Sequence, residues 1–305
     1  MAYYSVLPHR ALVSLTGSES ATFLQGLVSN DMRKVERGGV IWAALLTPQG
    51  KFLHEFFVFP LNGVIYLECE RERRDDLVTR LSRYKLRSKV NIAPDDDMIV
   101  GVAWGDGADT ALGLSDADDA MRASDEGLIY RDPRLRDAGA RWALNANAAT
   151  DVLKTAGLEE KSPEDFDGHR LALGLPDGSR DLEIEKALLL ESGFKELHGV
   201  DFNKGCYMGQ ELTARTHYRA LIKKRLMPVA IEGDVPQPGT SLTANGKDAG
   251  EMKSAWGNHG LALVRLDVWK NAGEGPLQSG DAEISPIVPS WMELPGGEED
   301  AAAQT

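Results

Sequence analysis

Residues 201–211 have the sequence DFNKGCYMGQE, which brings a thiol, an ammonium group, carboxylates and amides into one short stretch. Gly205 and Gly209 allow the backbone around the thiol to take positive φ angles or to approach a ligand closely. Lys204 stands two residues before Cys206, where its positive charge favours the thiolate. A lone cysteine in a turn is also typical of a small buried hydrophobic residue, so chemistry alone leaves both interpretations open.

The bulk composition is that of a soluble globular protein. The chain has 305 residues, of which 42% are hydrophobic and 27% charged, and its length predicts about two domains. No segment approaches the roughly 20 consecutive apolar residues of a membrane helix, which excludes a membrane protein. The formal net charge of −13 disfavours direct nucleic-acid binding, because such binding neutralises phosphates with Lys and Arg.

The cysteine pattern indicates a reducing compartment. Cys69 and Cys206 lie far apart, and neither belongs to a CxxC pair or a Cys/His cluster. A disulfide framework and a complete zinc or iron–sulfur site within one chain are therefore not expected. The first residues lack the pattern of a signal or transit peptide, so we expect a cytoplasmic protein.

The first half of the chain mixes strand and helix patterns. Residues 40–47, 52–59 and 64–70 predict an antiparallel meander joined by turns that contain Gly, Pro and Asn. Residues 71–84 predict an amphipathic helix. Apolar and polar residues then alternate over 84–92. This alternation predicts a strand with the cations at 85, 87 and 89 on one face, either a solvated edge strand or a binding face for an acidic ligand.

Two polar positions follow apolar runs. Residues 23–28 carry the apolar face of a predicted helix, and Asn30 and Asp31 lie at its exit as a functional pair or a turn-forming pair. Residues 184–190 are mostly apolar and precede Glu191. This carboxylate is either partly buried and facing a ligand or a surface group at the end of an element.

The residue pattern of the sequence changes near residue 225. Short strand-like runs separated by Gly, Pro and Asn predict a small antiparallel β-barrel over 226–292. The remaining residues, 293–305, are predicted to be a disordered tail.

Five motifs carry a family resemblance. Residues 204–211, KGCYMGQE, resemble the K-G-C-[FY]-x-G-Q-E signature of YgfZ-type folate-binding proteins, relatives of the glycine-cleavage T-protein (aminomethyltransferase). Residues 23–31, FLQGLVSND, are similar to the F-L-Q-G-x-x-[ST]-N-D segment of that family, and residues 188–191 to its L-x-x-E element. Residues 213–225 and 260–265 are similar to later family segments. The order of the motifs is also that of the family.

This resemblance implies an α+β fold. T-protein-like folate-binding lobes would surround a central channel over residues 1–225, followed by the C-terminal β-barrel. The implied function is tetrahydrofolate binding and maturation or repair of iron–sulfur enzymes, including radical enzymes that modify tRNA. The family role of the motif cysteine carries over to Cys206. Iron–sulfur client or assembly proteins are the implied partners, and the protein is expected to be an assembly factor rather than a conventional enzyme.

The resemblance also suggests folate contacts. A carboxylate of Glu191 or Asp31 suits the amino-pyrimidine edge of the pterin, and cationic side chains suit the glutamate tail. The residues predicted to contact folate are Asn30, Asp31, Lys85, Arg87, Glu191, Tyr207, Gln210, Glu211, Arg215, Arg219 and Lys223.

Cys206 has three candidate roles: ligand to a transient iron–sulfur cluster, nucleophile, or redox partner. One thiol cannot fill the four protein ligand positions that such clusters usually take, so a cluster would need a partner protein, a second chain or a small thiol. No metal is expected to be held by this chain alone. The alternatives are a folate-dependent one-carbon transferase and a non-catalytic folate-sensing adaptor whose basic surface, residues 215–225, docks acidic partners.

Overall fold

The computed structural model describes residues 1–219 and 222–295 of the chain. The predicted tail at 293–305 lies, from residue 296 onward, outside the described residues. Contacts divide the chain into two compact units. The first unit contains residues 1–46, 53–166 and 198–208, and the second contains residues 47–52, 167–197, 209–219 and 222–295.

Strands and short helices are interspersed along the chain. The strands are β1 (Ala2–Val6), β2 (Arg10–Thr16), β3 (Ile41–Leu46), β4 (Phe52–Leu61), β5 (Val64–Glu70), β6 (Asn91–Asp95), β7 (Met98–Gly105), β8 (Met121–Ser124), β9 (Gly127–Arg131), β10 (Ala140–Asn145), β11 (Glu159–Glu160), β12 (Lys224–Glu232), β13 (Ser241–Ala244), β14 (Lys247–Trp256), β15 (His259–Arg265), β16 (Leu277–Ser279) and β17 (Ala282–Pro286). The helices are α1 (Ser20–Gln25), α2 (Met32–Glu36), α3 (Arg74–Lys85), α4 (Ala108–Ala111), α5 (Ala149–Thr155), α6 (Pro163–Leu173), α7 (Gln210–Tyr218) and α8 (Leu266–Asn271). Short 3₁₀ helices lie at Arg71–Arg73, Arg136–Ala138, Gly178–Arg180 and Leu190–Ser192.

The first unit contains two sheets. One has the strand order β11-β1-β7-β10-β9-β8, and the other has the order β3-β4-β5-β2-β6. The predicted meander is confirmed, since β3, β4 and β5 are neighbours in the second sheet. Strand β4 is buried over nearly its whole length. Its sequence is apolar apart from His54 and Glu55, which fits a strand that is covered on both faces.

A chain of alternating ion pairs crosses the interior of the first unit. Its buried members, in the order in which they pair, are Glu55, Arg10, Glu68, Arg141, Asp132 and Arg134. Burial alone would raise the pKa of Glu68, but Arg141 and Arg10 outweigh it and lower that pKa. Glu68 lies on β5 of one sheet and Arg141 on β10 of the other, so the ion pairs join the two sheets.

The predicted strand over 84–92 is wrong. Helix α3 continues through Lys85, the turn after it includes Arg87, and β6 begins only at Asn91. The basic side chains at 85, 87 and 89 therefore do not share a strand face. The turn is held in place because the Lys89 amide donates to Glu19 Oε2 over 2.8 Å. The turn also packs closely against Gly17, where a Cβ would lie 2.2 Å from the Lys89 carbonyl oxygen. These non-local contacts override the local alternation.

The second unit contains the predicted antiparallel barrel. It is closed, with the order β12-β15-β14-β13-β16-β17. Its interior is filled by apolar side chains, including Met227, Leu242, Met252, Val264 and Ile284. Closure pairs the strand edges, so the short strands of the barrel do not present open edges. Among all described residues, no helix has the length and apolar character needed to span a membrane.

Candidate functional site

The segment 198–208 lies along the segment 25–34 in the first unit. The Met208 amide donates to the Gly26 carbonyl over 3.0 Å, and the Asp201 amide donates to the Ser29 carbonyl over 3.0 Å. The Ser29 hydroxyl donates to the Gly199 carbonyl over 2.6 Å. Two of the sequence motifs, separated by more than 160 residues, therefore fold against each other.

Asn30 connects the same two segments. Its Nδ2 donates to the carbonyls of Trp42 and His198 over 2.8 and 2.7 Å. Its Oδ1 accepts from the Asp31 amide and from Lys34 Nζ. The Asn30 amide group thus uses both its donor and acceptor atoms within the protein.

Asp31 is the N-cap of α2. Its carboxylate accepts from the Arg33 amide over 3.0 Å and also from the Arg33 guanidinium and Gln25 Nε2. The hydrogen bond from the Arg33 side chain lowers the pKa of Asp31 to about 2. The carboxylate is therefore ionised near neutral pH, and it stabilises the start of the helix.

Lys204 is buried, with 6% of its surface exposed. Its Nζ donates to the carbonyls of Gln25 and Val28, each over 2.6 Å, and lies 4.9 Å from the centre of the Tyr207 ring. Burial lowers the pKa of Lys204 to about 8. Lys204 thus anchors its segment to the end of α1, while its predicted effect on the Cys206 thiol stays a prediction.

Cys206 is exposed, whereas Cys69 is buried in the core of the first unit. Burial raises the pKa of Cys69 to about 12, which leaves that thiol protonated and unreactive. Gly205 has a φ of 89° and no neighbour that a Cβ would meet. Within residues 1–219 and 222–295, no group of three or more His, Cys, Asp or Glu side chains is placed to hold a metal ion.

The rest of the thiol motif belongs to the second unit. Gly209, with a φ of 79°, is the N-cap of α7, and Glu211 lies in the first turn of that helix. Arg215 and Arg219 are exposed and make no ion pair within the part of the chain that the structure describes. Four predicted site residues therefore belong to one short helix and its C-cap: Gln210, Glu211, Arg215 and Arg219.

Glu191 is half-buried in the 3₁₀ helix Leu190–Ser192 of the second unit. Burial raises the pKa of Glu191, although the charge and backbone N–H of Lys224 oppose the shift. The next residue along β12, Arg225, is fully buried and donates to the Leu190 carbonyl and the Glu196 carboxylate. The Glu191 carboxylate is therefore partly buried, while its contact with a ligand stays a prediction.

The predicted site residues fall in both units. In the first unit the structure brings together Asn30, Asp31, Lys204, Cys206 and Tyr207. Lys85 and Arg87 are distant in sequence from these residues: Lys85 ends α3, and Arg87 lies in the turn after it. Arg87 lines an open depression of about 680 Å³ with Glu19, Leu86 and Ser88. The second unit contains Glu191, Gln210, Glu211, Arg215, Arg219 and Lys223. Sequence reasoning gave no role to Gln25, although this residue stands inside the FLQG motif.

Comparison with known proteins identifies the class of fold. The solved structure of the glycine cleavage system aminomethyltransferase T from Bartonella henselae matches with a TM-score of 0.77 at 15% identity, covering 96% of this chain and 86% of that chain. Residues 223–294 match the family model of the CAF17 C-terminal beta-barrel domain. The predicted T-protein-like α+β fold with a C-terminal barrel is thereby confirmed.

Sequence relatives identify the family. The chain is 33% identical to the iron-sulfur cluster assembly factor IBA57, mitochondrial, of Mus musculus, over 93% of this chain and 84% of that protein. The Homo sapiens protein of the same name is 32% identical over the same shares. The chain belongs to the family of IBA57 iron–sulfur cluster assembly factors.

These relatives also correct the expected location. The expectation of a cytoplasmic protein is wrong, because the relatives from Mus musculus, Homo sapiens and Coccidioides immitis are named as mitochondrial. The expectation rested partly on cysteine spacing, which reports only whether disulfides are part of the fold. Cysteine spacing therefore does not distinguish one reducing compartment from another.

Proposed function

We propose that this protein acts in the maturation or repair of iron–sulfur enzymes, with Cys206 as one thiolate ligand to a cluster in transit. The observation that carries the proposal is an exposed thiol on a segment fixed by hydrogen bonds from Lys204, Asn30 and Met208. Thiolates are the usual protein ligands of such clusters. Membership of a family of iron–sulfur cluster assembly factors supports the same role.

Because the chain has a single exposed thiol, a cluster bound to it takes its other ligands from another molecule. The chain offers Cys206 as its exposed thiol, while Cys69 is buried. Because clusters usually take four protein ligands, the remaining positions belong to an iron–sulfur assembly protein, a client enzyme or a small thiol. The exposed cations Arg215, Arg219 and Lys223 are available to dock an acidic partner. Radical enzymes that modify tRNA are the proposed clients.

Complementation tests this proposal directly. A strain that lacks the protein receives the wild-type chain, Cys206→Ser or Cys69→Ala, and client activity is measured. Cys206→Ser should fail to restore activity, since the serine hydroxyl does not replace a thiolate ligand. Cys69→Ala is the matched control, because it removes the other thiol without touching the exposed segment, and it should restore activity.

Tetrahydrofolate binding is the second part of the proposal. Glu191 has the properties of a pterin ligand: a half-buried carboxylate whose ionised form accepts two parallel N–H bonds. Arg215, Arg219 and Lys223 are exposed cations suited to the glutamate tail. Asn30 and Asp31 use their side chains for hydrogen bonds within the first unit.

Calorimetry with tetrahydrofolate tests the role of Glu191. Glu191→Gln should weaken binding by about tenfold or more, because a charge-assisted hydrogen bond is replaced by a weaker neutral one. Glu232→Gln, a change at an exposed carboxylate at the end of β12, is the matched control and should bind as the wild type does. Equal affinity of Glu191→Gln and wild type would remove Glu191 from the folate site.

A further inference from the structure

Gln25 makes an unusual set of contacts at the end of α1. Its Nε2 donates to the Lys204 carbonyl over 3.0 Å and to Asp31 Oδ1 over 3.1 Å. Its Oε1 accepts from the Met32 amide over 2.8 Å. The side-chain amide of Gln25 therefore bonds two separate segments of the site, the start of α2 and the segment around Lys204, and the proposed chemistry does not use it.

Lys204 returns the contact. Its Nζ donates to the Gln25 carbonyl over 2.6 Å, while its own carbonyl accepts from Gln25 Nε2. Each residue thus uses its side chain to bind the backbone of the other, across 179 positions of sequence. The Val28 carbonyl takes a further N–H of Lys204, which completes the attachment to the segment after α1.

We propose that Gln25 and Lys204 form a reciprocal clamp that positions the Cys206 segment. This inference rests on the proposed role of Cys206 and deepens it by naming the residues that hold the thiol in place. Two residues after Lys204, Cys206 lies outside the clamp and is exposed. The next fixed point is the Met208 amide, which donates to the Gly26 carbonyl over 3.0 Å.

The clamp explains the position of Gly205. Cys206 stands between a buried lysine and a backbone hydrogen bond, so the chain must project outward and return within four residues. Gly205 provides the positive φ of 89° that this path requires. A segment fixed at both ends presents its thiol in one place, which lowers the entropic cost of sharing a ligand with a partner.

The clamp makes a different prediction from charge activation of the thiol. If Lys204 acts only through its charge, removing it changes the reactivity of the thiol and leaves the segment in place. If Lys204 acts through the clamp, removing either member releases the same segment. The two residues should then behave as one unit, and their effects should not add.

A double-mutant cycle on the full-length Cys69→Ala chain separates these cases. The variants are Gln25→Glu, Lys204→Met and the two combined. Gln25→Glu keeps an acceptor for the Met32 amide but loses both hydrogen bonds that Gln25 donates. If Gln25→Glu does not fold, Gln25→Ala replaces it. Gln237→Glu, at an exposed position of the second unit, is the matched control for the added charge.

The readouts are hydrogen exchange at the Met208 amide and the pH profile of Cys206 alkylation by iodoacetamide. Each single change should speed Met208 exchange by about tenfold or more, and the double variant should match the singles, with exchange at the Met252 amide of the barrel unchanged. Additive effects, or unchanged Met208 exchange in either single variant, would overturn the clamp. Slower alkylation of Cys206 in Lys204→Met with unchanged Met208 exchange would assign Lys204 to charge activation.

The outcome is independent of the client assay. If Cys206→Ser restores client activity, the proposed function fails, but Met208 exchange still tests the clamp. If exchange is unaffected, the clamp fails whatever the client assay gives.

Discussion

Lys204 and Cys206 are two residues apart and have opposite surroundings. Lys204 is buried against two carbonyls and an aromatic ring, and Cys206 is exposed. A buried ammonium group needs hydrogen-bond acceptors, which the carbonyls of Gln25 and Val28 supply. At the scale of single residues, the lysine of the thiol motif is therefore part of the scaffold on which the thiol is presented.

His54 gives a residue-scale prediction for stability. Its ring lies buried on β4, 2.9 Å from Asp76, and burial, aided by the charge of Arg73, lowers its pKa to about 4. An unfolded histidine titrates near 6.5. Between pH 6.5 and 4 the unfolded chain binds more protons at His54 than the folded chain does. The free energy of unfolding therefore falls as the pH drops through this range, by about 3 kcal/mol in total.

Urea unfolding between pH 7 and 4 measures this effect. His54→Gln should lose the part of the acid destabilisation that falls in this window. His259→Gln, on a barrel strand, should keep it. An identical pH dependence in wild type and His54→Gln would contradict the assignment.

The two sheets of the first unit depend on the ion pairs that join them. Glu68 accepts hydrogen bonds from Arg10, Arg141 and the Tyr130 hydroxyl, all of which are buried. Burying charges is costly, and it is tolerated because every member of the chain of ion pairs has an opposite charge as a partner. At the scale of elements, β5 and β10 are therefore coupled by charge as well as by apolar packing.

Removing the Glu68 charge should destabilise the first unit. Glu68→Gln leaves Arg10 and Arg141 without full compensation, which should lower the free energy of unfolding by about 3–5 kcal/mol. Because the folded pKa of Glu68 is lowered, its contribution is present above the unfolded value of 4.5 and is lost as the pH falls through the folded pKa. Glu126→Gln, in an exposed turn, is the control; a loss below about 1 kcal/mol in Glu68→Gln would contradict this account.

The local sequence pattern predicted the meander and the barrel, whose strands are set by short-range apolar and turn residues. The meander and the C-terminal barrel follow from apolar runs between turn residues, and both are present. The strand over 84–92 failed because α3 continues to Lys85 and the following turn is held against Gly17 and Glu19. Alternation over a short basic stretch does not report such distant contacts.

Two parts of the site show the same limit. Residue type and neighbours singled out Cys206 and Glu191, but they left open whether each side chain is buried or exposed. The Gln25–Lys204 pair could not be predicted, because its members lie 179 positions apart and each side chain bonds the backbone of the other. A glutamine at the end of an amphipathic helix is predicted as a surface residue, and only the folded backbone shows what it bonds.

At the scale of the whole molecule, the charge distribution supports a role in protein association. The chain has a net charge of −13, yet Arg215, Arg219 and Lys223 are exposed near one another in sequence. Local cations on an acidic protein favour encounter with acidic partners without general binding to nucleic acid. The T-protein-like fold shows architecture only, since one fold serves many functions, and the function is argued from the thiol and the family.

The most direct test of the central claim is the activity of a client radical enzyme that modifies tRNA, measured in the complemented deletion strain and divided by the amount of client protein. We expect Cys206→Ser to give the low activity of the empty strain and Cys69→Ala to give that of the wild type at equal expression. Wild-type client activity with Cys206→Ser would contradict the claim that this thiol is the group through which the protein serves iron–sulfur enzymes.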